Sequence, residues 1–252
     1  MLRTTCLGAT LCAVSAVALA CDFAYAAPVA WSNTNGSNSS ISWSNGQSDK
    51  GLFGNPTVDG NSFLFFPSNF EATASNGTAQ TTSDRLSFKL TAAEGKEIQQ
   101  INIREYGDWS IIGNGGVKAV GALYITRLNS PGFGTVWSET LNVVYDDLEN
   151  ATIIQSPSRP KVEGSGTWDG NFSIDLPDGV TSVQVVLNNI LQATSGTGGS
   201  AFIQKKGVGD PADGDAQFLI EAVVPEPASI SLLVLGGGAL LLRRRRNADN
   251  NN

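Results

Sequence analysis

Apolar residues recur at every second position in several short segments of this 252-residue chain. In one of them, Leu86, Phe88 and Leu90 alternate with polar residues. Because the side chains of a β-strand point alternately to its two faces, this alternation predicts half-buried strands. The same pattern occurs in Ile101–Ile103, Phe172–Leu176, Val183–Leu187 and Phe218–Ala222, and further strands are predicted at Ser40–Ser44, Ser62–Phe66, Lys118–Arg127, Val136–Tyr145, Ala151–Gln155 and Ser200–Lys205.

Residues that favour turns separate these segments, for example in Gly113–Gly116, Ser130–Gly132 and Pro177–Gly179. Outside the two ends of the chain there is no amphipathic helical pattern. About ten to twelve short antiparallel strands are therefore expected, which is typical of a β-sandwich. We predict an all-β fold for residues 27–223, a single antiparallel β-sandwich domain with jelly-roll-like topology.

The start of the chain has the features of an export signal. Arg3 precedes the apolar run Leu7–Ala20, and the small-residue site at Ala24–Ala26 predicts cleavage before Ala27. Residues 1–26 are thus predicted to be a signal peptide. A lipoprotein signal is an open alternative, since Ala18–Cys21 is similar to a lipobox.

The segment VPEPASISLLVLGGGALLLRRRR, residues Val224–Arg246, places an apolar stretch before four arginines. Ala228–Leu242 is predicted to be a short transmembrane helix, about 22 Å long at the rise of an α-helix. A bilayer core is about 30 Å thick, so this helix would be a marginal anchor. By the positive-inside rule the arginines and the tail 247–252 are predicted to be cytoplasmic. The domain of residues 27–223, called the body below, is then predicted to lie outside. The arginines are Arg243, Arg244, Arg245 and Arg246.

This order of export signal, body, Pro-Glu-Pro motif, apolar helix and arginines resembles the bacterial PEP-CTERM family, whose C-terminal signal is also labelled the ice-binding protein C-terminal domain. The resemblance covers Val224–Arg246 only. It implies that Pro225, Glu226 and Pro227 form a sorting motif recognised by an exosortase-type membrane protease. It also implies transient anchoring in the inner membrane, followed by release or attachment at the cell surface or in the exopolysaccharide. The body lacks the repeated Thr-x-Thr strands that an ice-binding face would need.

The composition of the body excludes several classes of catalytic site and disfavours one class of partner. The chain has no histidine, and its three cysteines, Cys6, Cys12 and Cys21, all precede the predicted cleavage site. This excludes a Ser-His-Asp hydrolase, a cysteine nucleophile and a disulfide framework in the body. Residues 27–223 contain 11 lysines and arginines and 20 acidic residues, a net charge of −9, which disfavours nucleic acid as a partner. We therefore expect a protein that is not an enzyme.

An acidic loop is the candidate metal site. Asp210, Asp213 and Asp215 bring three carboxylates together between Gly209 and Asp215, and calcium prefers oxygen ligands of this kind. A structural calcium ion that fixes the last strand is one interpretation. A solvated acidic turn without metal is the other, and no other cofactor is predicted.

The tryptophans are the candidate carbohydrate site. A sugar ring stacks on an exposed aromatic face, and Trp109 and Trp168 lie beside acidic residues in predicted loops. Trp31 and Trp43 flank a polar run and are a second candidate. The alternative is that these large rings fill the core of the sandwich.

A glycosidase needs two carboxylates across a cleft, and Glu105 with Asp108 is the pair that the sequence offers. No catalytic residue is assigned. The leading hypothesis is an exported surface or exopolysaccharide-matrix protein with a structural or adhesive role. A carbohydrate-binding module is the alternative, and a secreted glycosidase or lyase is a third hypothesis.

Overall fold

The computed structural model describes residues 26–67, 69–145, 152–156, 159–207 and 218–225. This part of the chain forms sixteen strands, and no helix in it is long and apolar enough to cross a membrane. Nearly all of the predicted signal peptide and everything after Pro225, including the predicted membrane helix 228–242, lie outside the described residues. The strands are β1 (Val29–Ala30), β2 (Gly36–Ser37), β3 (Ile41–Ser48), β4 (Thr57–Asp59), β5 (Ser62–Leu64), β6 (Glu71–Ser75), β7 (Ala79–Ala92), β8 (Gln100–Ile112), β9 (Gly115–Arg127), β10 (Val136–Thr140), β11 (Asn142–Tyr145), β12 (Thr152–Ser156), β13 (Arg159–Asp175), β14 (Ser182–Ser195), β15 (Ser200–Lys206) and β16 (Leu219–Val223).

The strands form two antiparallel sheets, which confirms the predicted all-β, sandwich-like fold. As far as the described residues show, the first sheet has seven strands in the order β1-β3-β7-β14-β9-β10, with β2 beside β3. Its central strand β14 pairs with β7 on one side and with β9 on the other. In the second, nine-stranded sheet, β8 pairs with β13 on one side and with both β15 and β16 on the other. The strands β14 and β8 therefore occupy the middle of their sheets.

The predicted apolar faces meet between the sheets. Alternate residues of β14 are buried, as are the apolar residues of β7, β8 and β16 that the sequence pattern placed inward. Burial of such side chains stabilises the fold by about 1.5–3 kcal/mol each before the loss of chain entropy is counted. The core contains a cluster of aromatic rings in contact, which are Trp31, Phe53, Phe63, Phe65, Phe70, Phe88 and Phe218.

The predicted single strand Val136–Tyr145 was wrong, because the chain changes sheets in its middle. β10 pairs with β9 in the seven-stranded sheet, and β11 pairs with β13 in the nine-stranded sheet. Between them the backbone of Leu141 donates a hydrogen bond to the carbonyl of Gly121. Its side chain packs where Cβ atoms at Gly121 and Gly170 would lie. Two glycines thus make room for the residue at which the chain crosses.

Gly107 allows a close approach of three strands, and we expect Gly107→Ala to destabilise the protein by about 1–3 kcal/mol or more. A Cβ atom at Gly107 would overlap the carbonyl oxygen of Gln204 and the indole of Trp168. Gly116→Ala is the matched control, since its added Cβ would meet only Thr194 Oγ1, at 3.4 Å. Urea unfolding of both variants tests this, and equal stability of the two would contradict it.

Candidate functional site

Three polar side chains point into the core from three different strands. Glu105 lies on β8, Asn189 on β14 and Lys205 on β15, each at an inward position of its strand. β14 belongs to one sheet and the other two strands to the second, so the group spans the sandwich. We call Glu105, Asn189 and Lys205 the buried triad.

The members of the buried triad all contact one another. Lys205 Nζ lies 2.8 Å from Glu105 Oε2 and donates a hydrogen bond to Asn189 Oδ1, also at 2.8 Å. Asn189 Nδ2 donates to Glu105 Oε2 at 3.1 Å. The side chains of Lys205 and Glu105 have 0% exposure. Gly121 on β9 stands opposite Asn189, and a side chain there would collide with the asparagine amide.

Aromatic rings enclose the lysine end of the triad. Lys205 Nζ lies 4.5 Å from the ring centre of Phe218, 5.4 Å from those of Phe53 and Phe70, and 6.0 Å from that of Trp168. The π faces of such rings attract a cation. They also exclude water, so no bulk solvent stabilises a charge at this position.

Burial sets the protonation balance of the triad. Desolvation lowers the pKa of Lys205 below its ordinary value, and the charges of Glu105 and Asp84 oppose this effect. Glu105 Oε1 is buried and accepts no hydrogen bond from any atom of the described residues. A buried carboxylate oxygen without a hydrogen-bond partner is costly, so Glu105 Oε1 calls for an explanation beyond a simple ion pair.

The triad combines an amine, a carboxyl and a carboxamide in a space closed to solvent. Such a space offers no entry for a diffusing substrate. Any chemistry at the triad is therefore confined to its own three side chains.

Two members of the buried triad, Asn189 and Lys205, were not predicted, although the alternation along their strands indicates them. In β15 the alternation that buries Ala201 and Ile203 continues to Lys205, and in β14 the alternation of Leu187 and Leu191 includes Asn189. A lysine or asparagine at an inward strand position is rare without a buried partner. The alternation of inward and outward positions along the two strands therefore identifies both residues as buried polar groups.

The structure contradicts a carbohydrate site on Trp109 and Trp168. Their exposures are 2% and 0%, so neither ring offers a face to a sugar. The indole nitrogens donate to the carbonyls of Thr167 and Gln204, both at 3.0 Å, which satisfies them inside the protein. Both residues are core aromatics, the alternative that the sequence also allowed.

The second tryptophan pair is also packed into the protein. Trp31 is buried, and Trp43 is half-buried with its indole nitrogen bonded to the carbonyl of Asn33. An open depression of about 220 Å³ lies instead beside the partly exposed Tyr124. It is lined by Ala122, Tyr124, Ser138, Glu139 and Thr140.

The predicted carboxylate pair does not form. Glu105 points into the core, whereas Asp108 lies on the outer face of β8, paired with Lys206 and accepting a bond from Gln204 at 3.1 Å. Residues three apart in a strand lie on opposite faces, so these carboxyl groups cannot act on one substrate.

The candidate calcium ligands Asp210, Asp213 and Asp215 lie outside the described residues, and so do Glu226, Pro227 and Arg243–Arg246. Within the described ranges no group of three or more acidic, histidine or cysteine side chains is arranged to hold a metal ion. Pro225 is the last described residue. It is exposed and directly follows Val224, which is 8% exposed.

No family model matches the sequence, and no curated protein matches it. Three of the solved structures that are similar to this chain are 10–11% identical to it. The enzymatically active domain of bacteriophage CBA120 tailspike protein 4 matches over 55% of this chain and 19% of that one, with a TM-score of 0.19. TmCBM61 in complex with beta-1,4-galactotriose matches over 75% and 96%, with a TM-score of 0.22. A lipoprotein from Bacteroides thetaiotaomicron matches over 68% and 98%, also at 0.22. Likeness at this level carries no argument about the function of this chain.

Proposed function

We propose that the chain is an exported protein of the cell surface or exopolysaccharide matrix with a structural or adhesive role. Its sorting would depend on the motif Pro225, Glu226 and Pro227, recognised by an exosortase-type protease during transient anchoring in the inner membrane. The observation that carries the proposal is the junction of body and motif. The last strand ends at Val223, Val224 is still buried, and Pro225 is exposed.

This junction supports access to the motif. The folded body ends one residue before the motif begins, so a processing enzyme at the membrane could reach Pro225 without unfolding a strand. The core of the described residues supports a structural role, since Glu105, Asn189 and Lys205 bond one another inside it and are closed to solvent. The proposal includes jelly-roll-like topology for the body and assigns it no enzymatic activity. A structural calcium ion at Asp210, Asp213 and Asp215 would be compatible with it.

Deleting residues 225–246 is expected to change the destination of the protein. Without the motif, helix and arginines, the body should no longer be held at the inner membrane or delivered to the surface. Fractionation of producer cells with an antibody against the body measures this. Deletion of residues 247–252, which leaves the sorting segment intact, is the matched control. The same surface distribution for wild type and the 225–246 deletion would refute the proposal.

A further inference from the structure

The buried triad holds the three groups that transfer an acyl group from an amide to an amine. Lys205 supplies the nucleophile, Asn189 the carboxamide and Glu105 a carboxyl group that can carry protons. Nζ lies 2.8 Å from Asn189 Oδ1, so it stands directly beside the carbonyl to be attacked. Holding reacting groups in contact removes much of the entropic barrier to their reaction.

The surroundings of the triad favour the reactive protonation state. Transfer of one proton from Nζ to Glu105 gives a neutral amine and a neutral carboxylic acid. A water-free aromatic site disfavours separated charges, and burial lowers the pKa of the Lys205 ammonium. The amine then has the free electron pair that a nucleophile needs.

From this geometry we propose that Lys205 and Asn189 become joined by an intramolecular isopeptide bond, with Glu105 as the proton carrier. The electron pair of Nζ attacks Asn189 Cγ, and the bond between Cγ and Nδ2 breaks. Glu105 Oε2 lies 2.8 Å from Nζ and accepts a hydrogen bond from Nδ2 at 3.1 Å, so it can take one proton from Nζ and give one to Nδ2 as the Cγ–Nδ2 bond breaks. The products are a secondary amide and one molecule of ammonia, and the carboxylic acid is restored. No oxidant, metal or co-reactant is needed.

The bond would join the two sheets covalently. Asn189 lies in the centre of the seven-stranded sheet and Lys205 lies in the nine-stranded sheet, so the link crosses the core. The body has no cysteine and therefore no disulfide that could serve this purpose. This inference concerns the folded body alone and does not depend on how the protein is sorted.

Peptide mass measurement on the purified protein tests the proposal. Trypsin should not cleave after a modified Lys205, so it should release residues 162–206 as one fragment, lighter than its sequence mass by one ammonia. Chymotrypsin cleaves after Leu191 and Phe202, between the two joined residues. The peptides that carry Asn189 and Lys205 should then stay connected. A succinimide at Asn189 would also release ammonia but would leave these peptides separate.

Substitutions within the triad and next to it complete the experiment. Asn189→Ala, Lys205→Arg and Glu105→Gln should each give unlinked peptides of full mass, because each removes one of the three groups. Asp108→Asn and Lys206→Arg change the neighbouring pair on the outer face and should retain the link. Unlinked peptides from the folded wild-type protein would overturn the proposal whatever the variants do. A link that persists in Glu105→Gln would overturn the role of Glu105.

Discussion

Glu105→Gln is expected to lower the free energy of unfolding by about 3–5 kcal/mol at neutral pH, the usual cost of removing one member of a buried pair. Glutamine preserves the shape of the side chain but leaves Lys205 in the core without a carboxyl group at 2.8 Å. The expected loss is the same in direction whether or not Lys205 is joined to Asn189, since the variant contains a buried lysine without its partner. Urea unfolding followed by tryptophan fluorescence measures it.

A neighbouring pair provides the control. Asp108 and Lys206 form an ion pair on the outer face of the same sheet, with exposures of 29% and 40%. Exposed pairs of this kind contribute about 0–1 kcal/mol, so Asp108→Asn should change stability little. If both substitutions cost the same, the buried triad contributes no more than a surface ion pair.

The pH dependence of Glu105→Gln follows from the same contacts. Burial lowers the pKa of Lys205 below its ordinary 10.5, and loss of the Glu105 charge removes the largest opposing effect, leaving Asp84. At pH values below 10.5, Lys205 in the unfolded chain then binds its proton more tightly than Lys205 in the folded chain. The stability of the variant should therefore rise with pH toward 10.5, more steeply than that of the wild type.

The inward faces of the strands could be predicted from the sequence. Phe88 on β7, Ile103 on β8 and Val185 on β14 were all placed correctly, because alternation reports which side of a strand is apolar. The assignment of strands to sheets could not be predicted, since it depends on pairing between distant segments. The switch at Leu141 shows this, as the alternation continues while the partner strand changes.

The inward position of Glu105 could not be predicted, because a glycine two residues later interrupts the pattern of its strand. Tyr106–Asp108 resembles a loop, since glycine inside a strand usually weakens it. In the structure β8 continues through Gly107, because Trp168 and Gln204 occupy the space of its missing side chain. Because β8 is continuous, the alternation of its side chains places Glu105 and Trp109 inward and Asp108 outward. The sequence shows the glycine but not the ring that packs on it.

Trp168→Ala is expected to lower the free energy of unfolding by about 3–5 kcal/mol, the usual cost of truncating a buried tryptophan. Its side chain is fully buried, and its indole nitrogen donates to the carbonyl of Gln204, which would lose this donor. Phe133→Ala is the control, because this ring is 73% exposed and its loss should cost less than about 0.5 kcal/mol. Urea unfolding of both variants measures the difference. If Trp168 were an exposed sugar-binding residue rather than part of the core, the two truncations would lower the free energy of unfolding equally. A large difference would place the ring among the residues that hold Lys205 away from water.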